Sequence, residues 1–170
     1  MTIVVLRLGH RRERDARLST HCGLVARALG ADKIIFSGEP DQQLLESIKN
    51  VTKRWGGPFR AEYNESWRSV IKNAKKKKFS IVHLSMYGIP FQKHIRKIRK
   101  SKNTLLIIGS EKVPGEVYQL SDYNLAVTNQ PHSEAAALAI FLNSVCKEKK
   151  FKSCRIKIVP QERGKKVIEK

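Results

Sequence analysis

Apolar positions along this chain follow two alternating rhythms. Short, mostly apolar runs at residues 3–8, 33–36, 79–84, 105–108 and 125–128 each end in a polar, glycine- or proline-bearing stretch. Such runs read as strands buried on both faces. Between them apolar residues recur at helical spacing. Leu18, Cys22, Val25 and Leu29 predict a helix over about 15–29, stopped by Gly30. Leu44, Leu45, Ile48 and Val51 predict a second, opened by Glu39 and Pro40. Trp67, Val70, Ile71 and Ala74 predict a third over 66–75, capped by Asn64. A turn at 55–58 leads to an alternating stretch, 59–63, that fits one more strand. A loop at 86–90 precedes a basic helix ending near residue 100, and an alanine-rich helix follows 129–133. The expected class is α/β: a mostly parallel sheet with helices on both faces.

The rhythm changes near residue 147. Residues 147–152 are polar and basic, 154–159 alternate, 160–164 suit a turn, and 165–168 suit a return. The expectation is one domain over 1–146 and a basic C-terminal extension over 147–170, either an appended β-hairpin or a frayed tail. A chain of 170 residues, 41% of them hydrophobic, is long enough for a true core. No apolar run reaches the length of a membrane span, and the first one reads as a strand rather than a signal peptide. A cytoplasmic protein with no membrane partner is expected.

Charge narrows the partner. The 34 basic and 15 acidic residues give a formal net charge of +19. That imbalance suits a polyanion, with nucleic acid ahead of a membrane surface because no stretch forms a basic amphipathic helix with aromatic anchors. Arg11, Arg12, Arg14, Arg17 and His21 crowd the exit of the first strand. Arg17 and His21 stand four apart and share a helix face. Lys93, Arg96, Lys97 and Lys100 form a second cationic stripe. Either set is a solvated face or a phosphate-contacting one. Trp55, Trp67 and Tyr87 are candidates for stacking on bases, although the spacing of Trp67 suits the core.

Several chemistries lack their signatures. There is no GxGxxG after a strand, no GxxxxGK[ST], no GxSxG and no HExxH. Cys22, Cys146 and Cys154 have no zinc spacing, so no metal is expected. Two strand exits remain. One is Gly109-Ser110-Glu111-Lys112-Val113-Pro114-Gly115, where Gly109 lets a ligand approach the backbone. The other is Thr128-Asn129-Gln130-Pro131-His132-Ser133, whose amides suit a heterocycle's edge. Ligands of open α/β sheets sit at such carboxyl ends. Either loop is a pocket wall or an ordinary connection.

Three blocks carry a family resemblance: RLGHRRERDARLSTH, GSEKVPGEVY and TNQPHSEAAALAIFL. In this order they resemble the archaeal tRNA (cytidine-56) 2′-O-methyltransferases of the SPOUT superfamily, over roughly residues 6–142. The resemblance implies a deep C-terminal trefoil knot, a homodimer, tRNA as partner, and S-adenosylmethionine held in a bent form by knot loops. It implies donor contacts from Leu84, from Gly109, Ser110, Glu111, Lys112 and Val113, and from Val127, Thr128, Asn129, Gln130, Pro131, His132, Ser133 and Glu134. Many SPOUT ribose methyltransferases place an Arg six residues before a Gly, with an Asn six before that. Here Leu24 and Leu18 stand at those positions before Gly30. Arg17, with His21 beside it, is the expected catalytic substitute, with Arg14 and Arg27 in reserve. Arg11, Arg12, Arg14, Lys93, Arg96, Lys97 and Lys100 are the expected tRNA contacts. A base methyltransferase of the same fold, or a noncatalytic RNA-binding protein, are the alternatives.

Overall fold

The computed structural model describes residues 1–110, 112–146, 151 and 153–170. Six strands form one sheet in the order β3-β2-β1-β5-β4-β6, and every neighbouring pair is parallel. The strands are β1 (Thr2–His10), β2 (Lys33–Gly38), β3 (Arg60–Tyr63), β4 (Ser80–Pro90), β5 (Asn103–Ile108) and β6 (Tyr123–Ala126). The helices are α1 (Arg12–Ala28), α2 (Gln42–Trp55), α3 (Trp67–Lys76), α4 (Ile95–Lys100), α5 (Gly115–Leu120) and α6 (Glu134–Val145). A separate antiparallel pair, β7 (Ile156–Val159) and β8 (Lys166–Glu169), lies in the extension.

The unbroken apolar strand runs feed two cores, one on each side of the sheet. Ile3 and Val5 of β1 pack under α1, α2 and α6 with Phe36, Ile48, Phe141 and Leu142. Leu6 and Leu8 face the other way, toward Val70, Ile71 and Val117. Strand alternation therefore assigns the two faces. Side chains such as Phe141, only 1% exposed, each contribute about 1.5–3 kcal/mol through burial. Aspartates secure the entries of two strands: Asp32 accepts from Ile3 N–H at 2.8 Å and Asp122 from Ile81 N–H at 2.7 Å.

Several expected boundaries shift for local reasons. The second helix starts at Gln42, because the Asp41 side chain accepts from Leu44 N–H at 3.0 Å and sets the cap beyond Pro40. The third is capped by Ser66, not Asn64, and Asn64 instead accepts from Ser66 N–H. The stretch 86–90, expected as a loop, is the far part of β4. Its register against β6 breaks after Leu84 and resumes at Ile89 opposite Leu125. Gly88 permits this, since a Cβ there would stand 2.6 Å from Leu125 backbone. Residues 127–128 lie past the end of β6.

The cationic stripe is also revised. Lys93 sits in a 3-10 turn, Phe91–Lys93, and α4 begins only at Ile95. Lys93, Arg96, Lys97 and Lys100 remain exposed but do not ride one continuous helix. Trp67 is half-buried against the second core, Tyr87 is exposed, and Cys22 and Cys154 are free thiols.

Candidate active site

The carboxyl ends of β4, β5 and β6 open onto one cavity of about 490 Å³. Leu84 and Ser85 come from β4, Ile108, Gly109 and Ser110 from β5 and its exit, and Val127 and His132 from the exit of β6. Lys112, Val113 and Tyr118 close one side, Glu134 and Ala137 of α6 the other. Parallel strands bring these segments together because their side-by-side order, β5-β4-β6, gathers three exits at one edge of the sheet.

The cavity is shaped by close backbone approach. A Cβ on Gly109 would lie 2.1 Å from Val113 Cγ2, so any larger residue there would displace the Val113 side chain. Asn129 does not line the cavity. It donates Nδ2–H to Met86 O at 2.6 Å and to Gly88 O at 2.9 Å, tying the β6 exit to the bulged end of β4.

Of the expected donor contacts, Leu84, Gly109, Ser110, Lys112, Val113, Val127, His132 and Glu134 line this cavity. Thr128, Asn129, Gln130, Pro131 and Ser133 are exposed and outside its lining. Glu111 lies outside the described residues. The expected catalytic pair, Arg17 and His21, is on the exposed face of α1 and does not line the cavity. Arg11, Arg12 and Arg14 line a separate cleft with Glu39, Asp41 and Gln43.

Three buried groups escaped sequence reading. Arg7, wholly inaccessible, donates to Glu134 Oε1 from Nε at 3.1 Å and Nη2 at 2.6 Å. Burial pushes the Glu134 carboxyl up, and Arg7 draws it only partly back. Cys22 is pushed up to about 12, by burial first and Glu134 next. His83 of β4 meets the Asn124 side-chain oxygen at 2.9 Å and stands edge-on to Tyr118, and burial holds its pKa low. Its Nε2 has no hydrogen-bond partner among the described residues. His10 is held between Ser19 Oγ at 2.7 Å and Asp41 at 3.2 Å. A polar residue inside an otherwise apolar strand run, such as Arg7 in VLRLG, was the available signal.

Among the described residues no three His, Cys, Asp or Glu side chains gather as a metal site. No helix among them is long and apolar enough to cross a membrane.

Comparison with known proteins fits this arrangement. The solved SpoU methyltransferase AviRb from Streptomyces viridochromogenes, in complex with AdoMet, superposes at a TM-score of 0.65 with 19% identity. The match covers 85% of this chain and 56% of that one. An RNA 2′-O ribose methyltransferase superposes at 0.63 with 14% identity, over 85% of this chain. This chain spans just over half of each, and the likeness establishes the SPOUT-type fold. A relative from Thermococcus kodakarensis, named tRNA (cytidine(56)-2′-O)-methyltransferase, is 51% identical over 98% of this chain and 97% of its own. One of the same name from Pyrococcus horikoshii is 53% identical, over 98% and 85%. The family described as tRNA ribose 2′-O-methyltransferase, aTrm56, matches residues 55–168. The chain belongs to this archaeal tRNA ribose 2′-O-methyltransferase family.

Proposed function

We propose that this protein transfers a methyl group from S-adenosylmethionine to the ribose 2′-hydroxyl of cytidine 56 in tRNA. The observation that carries the reading is the chain-long identity to relatives of that name, 51% and 53% over 98% of the chain. The cavity at the three strand exits supports a donor site there. The cavity fits the donor: its volume suits a nucleoside-sized ligand, and Glu134 Oε2 and His83 Nε2 are inaccessible atoms without partners among the described residues. Gly109 lets Val113 close over the β5 exit as part of the wall.

Bound S-adenosylmethionine supplies an electrophilic methyl, whose S–C bond breaks as the ribose O–C bond forms. The protein orients the hydroxyl in line and disposes of its proton and developing charge. Arg17 and His21, both exposed on α1, are assigned that task. Only RNA carries the 2′-hydroxyl. Arg11, Arg12, Arg14, the exposed Lys93, Arg96, Lys97 and Lys100, and the extension over 147–170 hold the tRNA by its phosphates.

Two features complete the reading. A trefoil knot is supported by the path of the chain: β6 lies beyond β4, yet α6 returns to pack on α1 and α4. Arg99 Nε–H reaches Ser144 O at 2.9 Å along that return. A homodimer is supported by Ile140, 48% exposed on the outer side of α6. A tRNA substrate supports a cytoplasmic location.

The test is incubation with methyl-labelled S-adenosylmethionine and unmodified tRNA transcript, then digestion to nucleosides and mapping. Label on the ribose of cytidine 56 is expected. Label on a base would make the protein a base methyltransferase, and no donor binding would leave an RNA-binding protein.

A further inference from the structure

A second cavity, of about 500 Å³, shares Ser110 and Lys112 with the donor cavity. Its remaining walls include Gly9, Arg11, Gly38 and Glu39. Arg11 and Glu39 in turn also line the basic cleft at the start of α1. The three hollows therefore form a series from the donor cavity to the arginines.

Resting on the function proposed above, we propose that the middle cavity is the acceptor nucleoside subsite, and that Glu39 reads an exocyclic amino group of the base there. Transfer requires the acceptor to adjoin the donor, and this hollow shares two lining residues with it. Gly9 and Gly38 have φ of +63° and +115°, and a Cβ would fall 2.5 Å from Ser110 Oγ and 2.4 Å from His10 O, respectively. Glycine at both positions lets the exits of β1 and β2 pack against each other and against Ser110, which brings the walls of this hollow together. The phosphates on either side meet Lys112 and the arginines of the adjoining cleft.

Glu39 is fixed at both its backbone and its side chain. Its N–H donates to His10 O at 2.8 Å, and its Oε2 accepts Arg12 N–H at 2.8 Å, supplying the cap that α1 lacks from its own Arg11. One carboxylate oxygen thus serves the helix, while the residue also lines the cavity. A carboxylate accepts from the N4 amino group of cytosine, whereas uracil presents the O4 acceptor there and is repelled.

Glu39→Gln tests this, because the amide oxygen can still cap Arg12 N–H while the amide NH2 turns the other side from acceptor into donor. Two tRNA transcripts, with cytidine or uridine at position 56, are compared by kcat/KM. Donor affinity and melting temperature are measured in parallel. Wild type is expected to prefer cytidine. The variant is expected to lower that ratio by about ten-fold or more, with donor affinity and melting unchanged. Glu39→Asp, which keeps the charge but shortens the reach, should lose rate on cytidine without gaining on uridine. An unchanged cytidine-to-uridine ratio in a folded, donor-binding Glu39→Gln overturns the assignment. Absence of transfer by wild type to either transcript overturns the functional reading, and this one with it.

Discussion

Arg7 and Glu134, 127 residues apart, meet beneath the donor cavity at 2.6 Å, with the guanidinium wholly inaccessible to solvent. The pair joins the end of the first strand to the start of the last helix. It fixes α6 where Glu134 and Ala137 form a wall of the cavity. Nη1 of the arginine and Oε2 of the glutamate have no partner among the described residues. The pair is therefore incompletely satisfied in the free protein, which is a cost that a bound ligand or ordered water can relieve.

Removing one partner strands the other charge in the core. Arg7→Met is expected to cost about 3–5 kcal/mol in chemical denaturation. Arg7→Met combined with Glu134→Leu should recover a large part of that loss. A single variant as stable as wild type would show that the pair contributes nothing.

Gly109→Ala tests the donor cavity independently. The new methyl group would press on Val113 Cγ2, 2.1 Å from its position, and drive that side chain from its place in the wall. A weakening of S-adenosylmethionine binding by at least about ten-fold is expected in calorimetry. Unchanged affinity would place the donor elsewhere.

Much of this was legible because parallel strands buried on both faces leave unbroken apolar runs. Residues 105–108 and the exit at Gly109 are found directly from that pattern. The far part of β4 was not, because a register break and Gly88 disguise a strand as a turn. Lys93 was aligned with Arg96 and Lys100 by spacing alone, but the 3-10 turn before α4 interrupts the periodicity. The Arg7–Glu134 pair and the His10–Asp41 contact are tertiary facts with no local period. Asn129 reads as a pocket amide, and that its Nδ2 also ties the β6 exit to the end of β4 is set entirely by what folds opposite it.

Acid should loosen the β1–α1 junction. Burial raises the Asp41 carboxyl, but the Leu44 N–H and His10 together outweigh it, leaving the group below its ordinary value. Hydrogen bonding from Arg11 outweighs burial at Asp15 in the same direction. A carboxyl lowered in the folded state contributes stability above the unfolded value, about 3.9, and loses it as pH falls through the folded one. Glu134 runs oppositely, since its raised value makes the folded state hold the proton longer as pH rises. Urea midpoints should therefore fall below about pH 4. Asp41→Asn, which keeps an oxygen for Leu44 N–H, should flatten that fall. An equally steep fall in the variant would remove Asp41 from the account.

Arg17 decides where the acceptor chemistry lies. It is exposed on α1, four residues from His21, and outside the donor cavity. If it stabilises charge on the ribose oxygen, Arg17→Ala should lower kcat by about 10²–10³-fold. Donor affinity should stay unchanged, because no part of Arg17 lines that cavity. If its part is a phosphate contact, the loss should instead appear in KM for tRNA and diminish the salt dependence of binding. His21→Ala separates the two groups further: if His21 accepts the hydroxyl proton, its loss should lower kcat while donor affinity and KM for tRNA stay unchanged. Arg17→Ala that retains full kcat would move the reacting group to another side chain. Arg14, on the same helix and in the cleft that adjoins the acceptor cavity, would be the next to replace.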